Sequence, residues 1–80
     1  MDIQIKIGQR IKDIRIEKNL TQEAIAFKAE IDRTFMNQVE NGKRNLSVET
    51  LEKVICHGLE ISFKEFFETD VFNGKRRVRK

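Results

Sequence analysis

Residues 31–42 read IDRTFMNQVENG. At about 100° per residue, a helix here gathers Phe35, Met36 and Val39 on one side. Arg33, Thr34, Asn37, Gln38 and Asn41 fall on the other. That polar side carries a guanidinium, a hydroxyl and three amides, and no carboxylate. Asp32 falls at the helix start and Glu40 at the boundary with the apolar side. Such groups suit the reading of base-pair edges. A major groove admits one α-helix and displays donors and acceptors. The fork of Arg33 fits the O6/N7 edge of guanine, and Asn37 or Gln38 can pair with N6/N7 of adenine. Thr34 offers a hydroxyl to a base or phosphate and a methyl to thymine. A carboxylate on this face would be repelled by phosphates. The alternative, a merely solvated face, is weakened by the flanking residues.

Gln22 opens the preceding helix, where free N–H groups and the helix dipole favour an anion such as phosphate. After the polar helix comes Gly42-Lys43-Arg44-Asn45, a short basic loop suited to the backbone beside a groove. Phosphate contacts set register, and base contacts set sequence preference.

The elements that must hold these residues are helices. The chain has no proline and four glycines. Strand alternation is weak, IQIKI at residues 3–7 being the sole candidate, whereas Ile3, Ile7, Ile11 and Ile14 keep helical spacing. A repeated signature supports this: an apolar residue, a capping residue, then an apolar residue four positions after the cap. It occurs at Leu20-Thr21…Ile25, Ile31-Asp32…Met36, Leu46-Ser47…Leu51 and Ile61-Ser62…Phe66. Thr, Asp and Ser accept hydrogen bonds from the first-turn N–H groups, and the apolar pair forms a hydrophobic staple. Ser62 with Glu65 also forms a capping-box pattern. Lys18-Asn19, Asn41-Gly42 and His57-Gly58 supply stops, glycine suiting the left-handed position after a helix. The prediction is an all-α fold with five helices, at 3–18, 21–29, 32–41, 47–57 and 62–69. The second and third, joined by two or three residues, form a helix-turn-helix. Residues 1–70 form one domain for DNA binding and dimerisation, and 71–80 a basic, frayed tail.

Composition bounds the function. Eighty residues suffice for one small domain with a marginal core. The single cysteine, Cys56, excludes an internal disulfide and fits a reducing cytoplasm. No signal peptide or membrane-spanning apolar run is evident, so a soluble, cytoplasmic protein with no membrane partner is expected. Net charge is +3, but residues 75–80 (KRRVRK) carry five positive charges, leaving residues 1–74 at −2. Basic surface on the body must therefore come from local arrangement. The tail is either a solvated end or a mobile arm adding salt-sensitive affinity for DNA.

Nothing resembles a nucleophile–base pair, a metal site or a phosphate-cradling glycine loop, so neither an enzyme nor a cofactor is expected. Cys56-His57 has no second pair, and adjacent helical side chains diverge, which favours a packed cysteine and a helix-terminal histidine over metal. Phe63, Phe66 and Phe67 read as core or dimer contact before ligand pocket. Phe27 lies off the apolar stripe of its helix.

LTQEAIAFKAEIDRTFMNQVENGKRNLSVETLEKV resembles the helix-turn-helix of the Cro/repressor-like (XRE) family, with its TQ, its A and K-A, a turn, and a helix ending in E-N-G. The resemblance spans about residues 7–67 and implies a five-helix, lambda-repressor-like domain. LTQEAIAFKAEIDRT followed by ENGKRNLS is further similar to the controller proteins of restriction–modification systems. These are small homodimers that bind operator DNA and control their own gene and the endonuclease gene. Position by position, the resemblance implies base contacts from Arg33, Thr34, Asn37 and Gln38. It implies phosphate contacts from Gln22, Asn41, Lys43, Arg44 and Asn45. Controllers commonly show Tyr at Phe35, so any hydroxyl contact there is lost, and Ser or Ala at Asn37, so the preferred base sequence differs here. The turn usually holds glycine where this chain has Glu30, for which a left-handed backbone is costlier. Glu23 matches a position where related activators present an acid to the polymerase sigma subunit.

A homodimer is expected, because the core is small and one recognition helix reads few base pairs. Its interface would use the fourth and fifth helices, with Ile55, Leu59, Ile61, Phe63 and Phe67 as candidates. A two-fold dimer sets two such helices one DNA turn apart, about 34–36 Å. The reading is therefore a sequence-specific transcriptional regulator of the controller type. An antitoxin or phage-type repressor is the neighbouring alternative, and a protein-interaction module that lost DNA binding is the alternative from another class.

Overall fold

The computed structural model describes residues 2–72. Five α-helices follow in order: α1 (Ile3–Glu17), α2 (Gln22–Ala29), α3 (Arg33–Glu40), α4 (Val48–Glu52) and α5 (Phe63–Phe67). α4 runs on without a break into a π-helical segment, Lys53–Gly58, and a single 3-10 turn, Asp70–Phe72, follows α5. No strand occurs among the described residues, and IQIKI lies within α1. The all-α, five-helix expectation stands.

All four predicted caps form. The Thr21 hydroxyl accepts from Ala24 N–H at 3.0 Å, Ser47 from Thr50 N–H at 3.0 Å and Ser62 from Glu65 N–H at 3.0 Å. Asp32 Oδ2 accepts from the N–H groups of Thr34 at 2.8 Å and Phe35 at 3.4 Å, so one carboxylate pins the first turn of α3. Each satisfies donors that a helix start leaves open.

The buried core joins Ile11 and Ile14 of α1, Ile25, Ala26 and Ala29 of α2, Met36 and Val39 of α3, and Val54, Ile55, Leu59 and Phe66. The π-helical segment packs most extensively against α2, and α3 lies against both α2 and α1. Two glycines allow close approaches. A Cβ on Gly8 would sit 2.4 Å from the carbonyl oxygen of Val39, and one on Gly58 would sit 2.8 Å from Ile25 Cγ2. The left-handed stop that the sequence places at Gly58 belongs instead to Glu60 (φ 61°), and Gly58 serves close contact with α2.

The turn between α2 and α3 resolves the Glu30 question. Glu30 adopts the left-handed conformation (φ 59°, ψ 43°) despite its side chain. Ile31 N–H donates across it to the Ala26 carbonyl at 2.9 Å.

The frayed end predicted from residue 71 needs correction. Val71 and Phe72 belong to the 3-10 turn, and the Phe72 ring packs edge-on to Phe67 at 4.9 Å and lies 6.1 Å from Phe66. Arg10 holds this end down: its Nε donates to the Phe66 carbonyl at 2.7 Å and its Nη2 to that of Glu65 at 3.0 Å. The basic stretch 75–80 lies outside the described residues.

Candidate nucleic-acid interface

α3 is positioned from three sides. Asp32 caps its start, Met36 and Val39 anchor it in the core, and Gly8 lets α1 meet the carbonyls of its last turn. What remains outward is the polar face. Arg33, Thr34, Asn37 and Asn41 are exposed, and Gln38 is half-buried. A cleft of about 670 Å³ runs along this face, lined by Arg33, Thr34 and Asn37 from α3 and by Thr21, Gln22 and Glu23 from the start of α2. The structure thus brings Gln22 to the predicted base readers, with Glu23 exposed at the same rim.

Lys43, Arg44 and Asn45 are exposed in the loop after α3. Gly42 turns the chain there in the left-handed region (φ 73°). The Arg44 guanidinium stands 4.8 Å from the centre of the Phe35 ring, a cation–π contact that fixes its direction. Phe35 therefore serves as a platform for a cation. Gln4 Nε2 donates to Asn45 Oδ1, tying the loop to α1 and leaving the Asn45 amide N–H groups as donors.

The sequence places Glu40 at the edge of the apolar side. It is in fact buried, and its carboxylate accepts from Arg15 Nε at 2.6 Å and Nη2 at 3.1 Å. A second charge thus neutralises it inside the fold, so the outward face of α3 stays free of negative charge. Arg15 also donates from Nη1 to the Leu20 carbonyl at 2.9 Å, closing the turn between α1 and α2. Sequence reasoning missed Arg15, Arg10 and Gln4. Each acts across a large sequence separation, which no local spacing reports.

The dimer candidates divide. Ile55 and Leu59 are 0% exposed within the single chain, so they fill its own core and offer no side-chain surface to a partner. This corrects their assignment: apolar periodicity marks a buried residue without saying what buries it. Ile61 and Phe67 are half-buried and Phe63 is exposed, its ring edge-on to Phe67 at 6.2 Å. These three keep apolar surface open to solvent.

Among the described residues no group of three or more His, Cys, Asp or Glu side chains is arranged to hold a metal ion. No helix there is long and apolar enough to cross a membrane. The Glu60 carboxylate accepts from Lys28 Nζ at 2.9 Å, and that hydrogen bond, with the lysine's charge, holds its carboxyl below the usual range.

A helix-turn-helix family model matches residues 11–66, which takes in α2, the turn and α3. The control protein C.MunI of a Mycoplasma species is 45% identical over 67 residues, covering 82% of this chain and 89% of that protein. The chain belongs to the helix-turn-helix controller proteins. Solved structures agree. C.Esp1396I bound to a 25 base pair operator site superposes with a TM-score of 0.79 at 41% identity, covering 85% of this chain and 88% of that one. C.AhdI from Aeromonas hydrophila gives 0.74 at 38% identity, covering 80% and 96%. The C.Esp1396I tetramer in complex with its natural 35 base-pair operator gives 0.79 at 40% identity, covering 85% and 90%. The controller resemblance seen in LTQEAIAFKAEIDRT and ENGKRNLS is thus confirmed over most of the chain.

Proposed function

We propose that this controller-family protein regulates transcription by binding operator DNA sequence-specifically as a homodimer, acting on its own promoter and that of a restriction endonuclease. The observation that carries the reading is the outward face of α3. It presents Arg33, Thr34 and Asn37 with no carboxylate, and Lys43 and Arg44 flank it. Arg33, Thr34, Asn37 and Gln38 read bases. Gln22, Asn41, Lys43, Arg44 and Asn45 contact phosphates and set the register. Relatives of the same family bound to operator DNA support this.

The homodimer joins through Ile61, Phe63 and Phe67, the candidates with surface to offer. It sets two α3 helices about 34–36 Å apart on a near-palindromic site. Glu23, exposed at the start of α2, is an acidic contact for the polymerase sigma subunit when the dimer activates. The protein works in the cytoplasm, without catalytic activity.

A gel-shift titration against DNA upstream of its own gene, with scrambled competitor, tests the reading. A discrete complex that survives competitor is expected. Binding that scrambled DNA removes equally would leave charge alone at work, and the interaction-module reading would take its place.

A further inference from the structure

A chain of hydrogen bonds leads from the protein interior to the outward face of α3. It starts at the Glu40 side chain, only 2% exposed and paired with Arg15. Gln22 Nε2 donates to Glu40 Oε1 at 3.0 Å. Asn37 Nδ2 donates to Gln22 Oε1 at 3.3 Å, and Asn41 Nδ2 donates to Asn37 Oδ1 at 3.2 Å. Every link runs the same way, with donors pointing inward.

The direction has a physical cause. A carboxylate only accepts hydrogen bonds, whereas an amide side chain donates at one end and accepts at the other. The two ends have nearly the same shape, so an isolated Asn or Gln fits its site either way round. Glu40 removes that freedom. It requires the nitrogen of Gln22, which turns the Gln22 oxygen outward. That oxygen requires the nitrogen of Asn37, which leaves the Asn37 oxygen toward Asn41. Base-pair edges differ by the order of their donors and acceptors. A reversed Asn37 would therefore present a different pattern to the groove.

We infer that buried Glu40, acting through Gln22, sets which way the Asn37 amide faces and so is a positioning residue for the base preference of α3. This rests on the reading of Asn37 as a base reader. The amide is oriented before DNA arrives, which also reduces the side-chain ordering needed on binding. Gln22 is then the link that passes polarity from the core to the groove, and only its second amide N–H is left for a phosphate.

The test measures binding to a panel of duplexes, each carrying one changed base pair of the upstream DNA, with a thermal melt for every variant. Asn37→Ala first identifies the position that Asn37 reads. If no position loses preference, the base-reader assignment fails and the inference loses its ground. Given such a position, Glu40→Gln and Gln22→Met should each lower preference there by about fivefold or more. Preference elsewhere should hold.

The paired exchange Gln22→Glu with Glu40→Gln should recover that preference, because the new carboxylate at position 22 again only accepts from Asn37. Its overall affinity should fall through repulsion from phosphate, equally for all duplexes. A purely structural role for Glu40 predicts no such recovery. The inference is overturned if Glu40→Gln and Gln22→Met keep the preference that Asn37→Ala removes, whatever uniform loss of affinity accompanies the missing Gln22 phosphate contact. If Glu40→Gln is unfolded at the assay temperature, Gln22→Met decides alone, since it leaves the Arg15–Glu40 pair in place.

Discussion

Gly8→Ala should destabilise the protein, against the sense of helix propensity. In an ordinary helix interior, alanine is better than glycine by about 0.8–1.0 kcal/mol. Gly8, however, is buried where α1 crosses the end of α3. Its added Cβ would lie 2.4 Å from the Val39 oxygen, 2.9 Å from the Glu40 oxygen and 3.1 Å from the Glu40 carbonyl carbon. A carbon–oxygen contact is comfortable at about 3.3–3.6 Å, so the helices must part by roughly 1 Å. All three obstacles are backbone atoms and cannot turn aside as a side chain would. Strain of this kind typically costs about 1–3 kcal/mol, occasionally more. Parting the helices also moves Glu40 relative to Arg15, whose pairing depends on a short bidentate geometry. With the propensity gain set against these losses, a net loss of about 1–2 kcal/mol is expected, which for a domain of this size lowers the melting midpoint by roughly 4–16 °C. Urea titration of both proteins measures it, with an unchanged slope confirming that the native fold is retained. A variant as stable as wild type, or more so, would refute the packing argument.

Other outcomes follow from single contacts. Glu30→Gly should raise stability by up to about 1 kcal/mol in the same titration, because glycine occupies the left-handed region without a Cβ penalty. Lys43→Ala should weaken all DNA alike and reduce the dependence of log affinity on log salt by about 0.9. A selective loss for one sequence would contradict its phosphate role. Glu60 has a depressed carboxyl pKa in the folded state, so its contribution is fully present above the ordinary value of 4.5 and fades as pH falls through the lower folded value. Thermal melts should therefore show Glu60→Gln below wild type at neutral pH and level with it in acid. A difference that persists in acid would remove Lys28 as the cause.

Much of the frame is legible in the sequence because its determinants are local. The caps Thr21, Asp32, Ser47 and Ser62 each act within three residues, and all four form. The outward face of α3 follows from helical period alone, once Phe35, Met36 and Val39 define the inward side. What escapes a local reading is the identity of the partner across the fold. Gly58 reads as a helix stop, yet it and Gly8 are close-approach residues whose neighbours lie on other helices. Glu40 reads as a boundary residue because nothing in the spacing joins it to Arg15, 25 positions away. Ile55 and Leu59 have the apolar character of an interface, and only the packing shows that α2 and its neighbours consume them. Phe72 reads as tail because its partners, Phe66 and Phe67, are reached only after the chain turns back.

Sequence reading by α3 underlies the proposed regulation. The affinity of wild type and Arg33→Ala for the upstream DNA and for a scrambled duplex, at one fixed salt concentration, decides it. Arg33→Ala should lose about 1–3 kcal/mol on the specific duplex, with preference relaxed at one base position and binding to the scrambled duplex falling much less. Equal losses on both duplexes, or none on the specific one, would contradict it.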